Sequence, residues 1–488
     1  MGKLVFAAWV ATVLLSWAVL GPYLGYLIEG YDSSQLGKVP LVLLLVCVLG
    51  SVAGTVAWAR KLRNRQTEST ASPQRRVLLG SLGTASGLAA TLGAAIAPNS
   101  RWYSTTVKNI FLPSPSYKAD RYHSDWEGTQ IAAYRRLGRT EAMVSDISIG
   151  TGSSSGGRMT PAIAREAIER GMNYFDTAPD YSETGSETVL AEAMKGYREQ
   201  IFLATKFCTT SGHLGPGTSV RDYMAAVEGS LQRLQTDYVD LVHIHSCNTV
   251  ERLMDENVHE AFDRLRDQGK AKFLGVSTHT PDLEPVARAA IESDRFDVLM
   301  LAYHHGAWPS LQAIIDEAAA NDIGVVAMKT LRGGLHQGLD WSRDEADSFT
   351  QASFKWVLAN PSVSCLVISL WERAQLDEFF FASGQVPTRE DFALLDRYSE
   401  LTQATHCRPH CGICLDSCPE NLAIADVLRH KNYYESFGAQ KEAMRLYAKL
   451  EPKADACLSC PAPCAGACPY EIPIAEHTRA ADRLLRLA

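Results

Sequence analysis

Asp237 to His279 reads DYVDLVHIHSCNTVERLMDENVHEAFDRLRDQGKAKFLGVSTH. Two short runs rich in Val, Ile and Leu, 238–246 and 273–279, flank a stretch near 255–268 whose apolar residues recur at helical spacing. Strand, helix and strand in that order specify two parallel strands joined by a crossover. The unit repeats on both sides. Strands are expected at 144–151, 173–178, 201–207, 238–246, 273–279, 297–304, 323–330 and 363–370, with helices near 161–171, 187–196, 218–234, 255–268, 282–292, 309–320 and 346–358 and another after the last strand. Eight units over about 245 residues have the size of a TIM barrel. An open doubly wound sheet would carry a Gly-rich phosphate turn after its first strand. Gly150-Thr151-Gly152 is followed by no G-x-G-x-x-G that opens a helix. The fold class is therefore α/β, a (β/α)8 barrel.

The barrel is one part of a modular chain. It has 488 residues, 47 Lys+Arg against 55 Asp+Glu, and a formal charge of −8. That balance leaves no basic excess to neutralise a phosphate backbone, so nucleic acid is not an expected partner. Leu4–Ile28 and Val39–Ala59 carry no charged residue and are each long enough to span a bilayer. A buried core helix, or for the first run a cleaved signal peptide, is the alternative. Val77–Ser100 is a third uncharged stretch, diluted by Gly80, Gly83, Gly87 and Gly93. Before it stands Gln74-Arg75-Arg76-Val77-Leu78-Leu79, which resembles a twin-arginine export signal with Gln at the usual Ser or Thr; an ordinary positive flank reads the same way. Arg60, Lys61, Arg63, Arg65, Arg75 and Arg76 make the loop after the second span basic, hence cytoplasmic. A third span would then place everything after residue 100 on the outer, periplasmic face of a bacterial-type inner membrane. Without it the large domain faces the cytoplasm. The expected organisation is a membrane region at 1–100 with spans at about 4–28, 39–59 and 77–100, a linker at 101–133, the barrel at 134–385 and a tail at 386–488.

Chemistry in such a barrel sits at the C-terminal ends of the strands. The second strand ends in Phe175-Asp176-Thr177-Ala178, with Tyr181 beyond it; the third ends in Ala204-Thr205-Lys206 and the fourth in His243-Ile244-His245. A carboxylate, a phenol, a lysine and an imidazole thus converge on one rim. Singly each reads as an ordinary loop or surface residue; on three successive strand ends the coincidence is hard to sustain.

Tyr134-Arg-Arg-Leu-Gly-Arg-Thr, Phe175-Asp-Thr-Ala-Pro-Asp-Tyr181, Ala204-Thr-Lys206 and Asp237-Tyr-Val-Asp-Leu-Val-His-Ile-His245 resemble the aldo/keto reductases over residues 134–382. The resemblance implies a catalytic tetrad at Asp176, Tyr181, Lys206 and His245. Tyr181 would protonate a carbonyl oxygen as hydride reaches carbon. Lys206 would lower the pKa of the phenol, Asp176 would keep the lysine charged, and His245 would hold the oxygen or relay a proton. On the nicotinamide side the family's Ser-Asn pair is Ser277-Thr278 here, its Gln is Met300, and Arg373 stands where an adenosine phosphate would bind. NADP(H) is the cofactor that these positions concern.

After His406 the chain holds eight of its twelve cysteines: Cys407-x3-Cys411-x2-Cys414-x3-Cys418-Pro, then Cys457-x2-Cys460-x3-Cys464-x3-Cys468-Pro. Disulfides suit four cysteines within a dozen residues poorly, and a zinc ribbon separates its two knuckles by some 15–20 residues. Each clump resembles the ferredoxin pattern C-x2-C-x2-C-x3-C-P with one gap lengthened. Two [4Fe–4S] clusters in a small, mainly helical ferredoxin-like domain are expected. By analogy with two-cluster ferredoxins, Cys418 would join the Cys457 set and Cys468 the Cys407 set. Cys47 lies in the second span, and Cys208, Cys247 and Cys365 lie on or beside barrel strands as core residues. Barrel and tail together resemble an iron–sulfur subgroup of the aldo/keto reductases. They imply a membrane-anchored oxidoreductase that interconverts a small carbonyl and alcohol and exchanges electrons with a membrane redox partner. Two other readings stand beside it: a non-catalytic electron-relay or assembly subunit on a degenerate barrel, and a cytosol-facing NADPH-dependent reductase.

Overall fold

The computed structural model describes residues 2–15, 47–53, 55–57, 123–152, 157–333 and 348–486. The chain divides into two units, Met1–Ser116 and Tyr117–Ala488. In the first, the helix Gly2–Leu15 meets the helical residues 47–53 and 55–57 through buried polar side chains. Trp9 Nε1 donates to Thr55 Oγ1 at 2.9 Å, and the hydroxyls of Thr12 and Ser51 lie 2.9 Å apart. Among the described residues no helix is long and apolar enough to cross a membrane. The third expected span, the Arg75-Arg76 pair and most of the linker lie outside the described residues, as do the greater parts of the first two spans.

The second unit is built on eight parallel strands: β1 (Ile147–Gly150), β2 (Tyr174–Asp176), β3 (Phe202–Thr209), β4 (Val239–Ile244), β5 (Ala271–Thr278), β6 (Val298–Ala302), β7 (Gly324–Met328) and β8 (Cys365–Ile368). Each pairs with the next, and β8 returns to β1 through Val367 opposite Ser148, so the sheet closes on itself. All eight expected strand segments carry a strand. The strands are buried on both faces, which is why they read as unbroken apolar runs rather than alternating ones. The intervening helices are α1 (Pro161–Glu169), α2 (Gly185–Ala193), α3 (Val220–Leu234), α4 (Glu256–Asp267), α5 (Leu283–Glu292), α6 (Pro309–Ala320), α7 (Phe349–Leu358) and α8 (Arg373–Phe381). Their starts are written locally. Thr160 caps α1 ahead of Pro161, Ser219 caps α3, and Ser348 with Gln351 forms a capping box on α7.

Inside the barrel Tyr174, Phe202, Leu241, Val298, Met300, Val326, Cys365 and Val367 pack together. A hairpin of Tyr134–Arg136 and Met143–Ser145 adds Leu137 to that layer and closes the N-terminal end. Gly324 is required there: a Cβ would lie 2.7 Å from the Leu137 side chain.

Helix α9 (Arg389–Leu401) packs Leu395 and Tyr398 on Phe349 and Ala352 of α7. Beyond it α10 (Ile424–Glu435), α11 (Gln440–Ala448) and α12 (Ile474–Leu485) enclose a small core of their own around Val427, Ala443, Tyr447, Ile474 and Ala481. This tail lies over the C-terminal ends of the barrel strands. The His410 N–H donates to the His279 carbonyl (3.1 Å), Lys329 Nζ to the Tyr433 hydroxyl (3.0 Å), Arg445 Nη2 to the Asp180 carbonyl (2.9 Å) and Lys449 Nζ to the Ser211 carbonyl (2.8 Å).

Candidate active site

Asp176 is the last residue of β2 and Lys206 lies near the end of β3, both almost fully buried. Lys206 Nζ is 2.6 Å from each Asp176 carboxylate oxygen and 2.8 Å from the Thr177 carbonyl. An ammonium has three donors. All three are engaged, so none remains for a phenol. Tyr181 follows in the loop after β2, its ring face 4.9 Å from Nζ and its hydroxyl 3.4 Å from His245 Nε2. Burial pushes the phenol well above 10, and the carboxylates of Asp176 and Asp180 add to the rise. This corrects the sequence expectation of a lowered phenol: burial and the neighbouring carboxylates prevail, although Lys206 Nζ stands 4.9 Å from the ring. Asp176 itself is raised by burial against the pull of Lys206.

His245, just past β4, is buried and held well below its ordinary pKa by desolvation, then by His213 and Lys206, so it is neutral. Arg252 fixes the turn behind it, donating to the carbonyls of His245 (2.7 Å), Ser246 (3.0 Å) and Leu214 (2.9 Å). One layer below, His243 fills the space that a side chain at position 275 would need: a Cβ on Gly275 would meet its Nδ1 at 2.5 Å.

The structure thus brings the four tetrad positions together; of the nicotinamide positions, Ser277 pairs with Met300 across β5 and β6, Thr278 follows it, and Arg373 stands on α8. Ser277 Oγ accepts from the Ser246 N–H at 2.9 Å, and the buried hydroxyl of Thr278 has no partner. Met300 packs in the barrel interior and offers no amide contact. The exposed Arg373 donates through Nε to Glu166 at 2.8 Å. Met300 cannot supply the amide contact of the family's Gln, whereas the Thr278 hydroxyl is unengaged. The tail also stands against the loop that follows Thr278: a Cβ on Gly412 would lie 2.5 Å from Pro281.

All twelve cysteines are free thiols. In the tail Cys407 and Cys414 feel Cys411 and Cys468, and Cys457 and Cys464 feel Cys460 and Cys418, while Cys414 also feels Cys464 of the second clump. Cys418, Cys457, Cys460 and Cys464 line a single cavity with Ile474 and Thr478. Backbone N–H groups of Leu422 and Ala462 donate to the sulfurs of Cys418 and Cys460, each at 3.4 Å. No three of the eight sulfurs lie within 4.8 Å of one another. A single tetrahedral zinc with Zn–S of about 2.3 Å would draw them to about 3.8 Å. The donor sets fit a larger group bound by four thiolates, as iron–sulfur clusters are.

Several groups at the mouth were not evident from the sequence. Asp180, adjacent to Tyr181 in the motif, and His213, on the hairpin after β3, both face His245. Lys329 at the end of β7 meets Tyr433 of α10. Asp180 could have been found by its neighbour in the motif. Tyr433 had no local signal, since 104 residues separate it from its lysine.

The aldo/keto reductase family model matches residues 146–347, a span that begins just before the first barrel strand. L-galactose dehydrogenase of Arabidopsis thaliana is 26% identical over 50% of this chain and 86% of its own. The uncharacterized oxidoreductase YqkF of Bacillus subtilis is 28% identical over 54% of this chain and 96% of its own. Among solved structures, an aldo-keto reductase of Bacillus halodurans in its holo form shares 23% identity over 54% of this chain and 95% of that one, with a TM-score of 0.43. The aldo/keto reductase match over the barrel and these oxidoreductase relatives support an oxidoreductase.

Proposed function

We propose that the chain is a membrane-anchored iron–sulfur oxidoreductase that interconverts a small carbonyl and its alcohol and exchanges electrons with a membrane redox partner. The observation that carries the reading is the bond from the His410 N–H to the His279 carbonyl. It sets the loop bearing Cys411 on the end of β5, directly after Ser277 and Thr278, where the family resemblance puts the nicotinamide. Cys407, Cys411, Cys414 and Cys468 would hold one [4Fe–4S] cluster and Cys418, Cys457, Cys460 and Cys464 the other. When bound, such clusters supply single electrons.

The chain's own residues do the rest. Tyr181 keeps its proton at neutral pH and presents it beside the neutral imidazole of His245, so both flank the place of a carbonyl oxygen. The closed Asp176–Lys206 pair holds β2 and β3 in register behind them and keeps a fixed positive charge under the phenol ring. The tail lies over the mouth and narrows access to the reacting groups. In the membrane region, the bonds Trp9–Thr55 and Thr12–Ser51 support pairing of the first two spans, as polar side chains pair helices in lipid. Charge asymmetry around Arg60–Arg76 supports a barrel on the periplasmic face.

The test is anaerobic purification with iron, sulfide and nicotinamide analysis, followed by addition of candidate carbonyls and alcohols. We expect about eight iron and eight sulfide per chain, and cluster absorbance that changes with substrate and no longer does so in Tyr181→Phe. Two zinc ions without sulfide would overturn the cluster assignment. The unpartnered Thr278 hydroxyl favours a second reading, a cytosol-facing NADPH-dependent reductase. Quenching of tryptophan fluorescence on NADPH titration would put that reading first.

A further inference from the structure

Three rim side chains converge without bonding to one another. His213 reaches the rim because the chain after β3 turns back as a short antiparallel pair, Cys208 opposite His213. Its ring meets that of His245 edge-on with centroids 4.3 Å apart. Asp180 Oδ1 lies 3.6 Å from His245 Nδ1, and Asp180 Oδ2 lies 3.8 Å from His213 Nε2. These separations are too long for hydrogen bonds, which cluster near 2.7–3.2 Å. Asp180 and His245 are each more than nine-tenths buried; the Cys208 thiol is a neighbour of the Asp180 carboxylate, but Asp180 Oδ1 and His245 Nδ1 make no hydrogen bond of ordinary geometry. A buried carboxylate oxygen facing an unpaired ring nitrogen is costly unless something lies between them.

We propose that Asp180, His213 and His245 bind one divalent metal ion of the zinc class, with an open fourth position toward solvent. Ligands at about 2.0–2.1 Å in a tetrahedron stand about 3.3–3.4 Å apart. One ligand atom from each of the three residues lies within 4.8 Å of the other two, so side-chain rotation must draw them in by up to about 1.4 Å to reach that spacing. Two imidazoles with one carboxylate suit a borderline ion. The half-exposed His213 leaves one side of the site accessible. An ion on His245 Nδ1 forces the ring proton onto Nε2, the atom 3.4 Å from the Tyr181 hydroxyl. That is the usual role of the second nitrogen of a metal-bound histidine, which anchors to a neighbouring polar group. Opposing charges are nearby. Lys206 is paired with Asp176 and Arg445 with Glu442, while Arg252 and Lys449 bond only carbonyls in the contacts described and act against a dication. The ion would position His245 rather than react.

Zinc uptake is read without turnover, so this proposal and the redox proposal fail separately. The anaerobically purified holoenzyme is dialysed against zinc chloride, and bound zinc is counted beside iron. Its K-edge absorption then identifies the neighbours. We expect one zinc per chain with nitrogen and oxygen neighbours at about 2.0–2.1 Å and no sulfur at about 2.3 Å. Loss of an outer-shell partner already costs about 10–100-fold in affinity. Loss of a direct ligand in His213→Ala or Asp180→Asn is expected to weaken binding by more than about 100-fold, with iron and sulfide unchanged. No zinc uptake by the wild-type chain, a sulfur shell around the zinc, or equal affinity in well-folded His213→Ala would each overturn the site. The absorption edge of the wild-type protein decides even where a variant fails to fold.

Discussion

Lys206 Nζ sits 2.6 Å from both carboxylate oxygens of Asp176, and its third proton goes to the Thr177 carbonyl. The pair is sealed inside the barrel, with Lys206 1% exposed and Asp176 3%. Removing one partner of such a pair strands the other charge. Lys206→Met is therefore expected to lower stability by about 3–5 kcal/mol, in addition to any loss of carbonyl reduction. Asp176→Leu combined with Lys206→Met is expected to recover most of that loss, because both charges are gone. Denaturant unfolding of the single and double variants checks this. A single variant as stable as the wild type would show that the pair is not the closed element described.

The proposed crossed ligation by the last cysteine of each clump predicts a pattern among variants. Cys468→Ser is expected to leave the same surviving cluster as Cys411→Ser, and Cys418→Ser the same as Cys460→Ser. Each variant is expected to keep about four of eight iron atoms. Paramagnetic resonance of the reduced variants would then fall into two classes. Cys468→Ser matching Cys460→Ser instead would mean that each clump keeps its own fourth ligand.

How much of this was legible beforehand depended on how far apart the interacting residues lie in the chain. The strands announced themselves because runs such as Leu241-Val242-His243-Ile244 are buried on both sides. The tetrad positions were visible because the barrel topology puts every strand end on one rim. The use of the Lys206 charge was not visible. It depends on which side of the ammonium faces Asp176, and no spacing records that. Nor did the sequence disclose that Tyr433, on α10 of the tail, bonds Lys329 of β7. Burial raises that phenol's pKa, but Lys329 and Arg429 outweigh it and bring it below the ordinary value, the reverse of Tyr181. Contacts between separately folded cores leave no periodic trace, so the tail reads as a cysteine scaffold until its packing on the barrel is seen.

Acid should loosen the chain through two histidines near that contact. His304, just past β6, and His430, on α10, are almost fully buried, and desolvation holds each at about 3. An unfolded chain takes up these protons near its ordinary 6.5. Above about pH 6.5 the rings are neutral in both states and stability is at its full value. Between about 6.5 and 3 only the unfolded chain is protonated, so stability falls as pH falls, by up to about 1.4 kcal/mol per pH unit for each ring. Melting temperatures measured across that range are expected to decline toward acid, and to decline less steeply in His304→Gln. An unchanged slope in that variant would mean that the loss arises elsewhere.

In the proposed membrane-anchored arrangement, the side on which the barrel lies decides where its electrons originate, and the arginine pair before the third apolar stretch provides the test. Arg75→Lys with Arg76→Lys keeps both positive charges, so the bias that holds Arg60–Arg76 in the cytoplasm survives. Only a translocase that reads arginine itself would respond. In the wild type, protease added to spheroplasts is expected to reach the barrel and tail. In the double variant those parts are expected to stay inside and be protected. The weak, Gly-diluted stretch Val77–Ser100 beside two strongly apolar spans is the reason to expect this dependence, since a third span as apolar as Val39–Ala59 would insert without it. If protease never reaches the wild-type barrel, the domain faces the cytoplasm. Electrons from NADPH would then be available to it, and the reductase reading would displace the cluster-fed one.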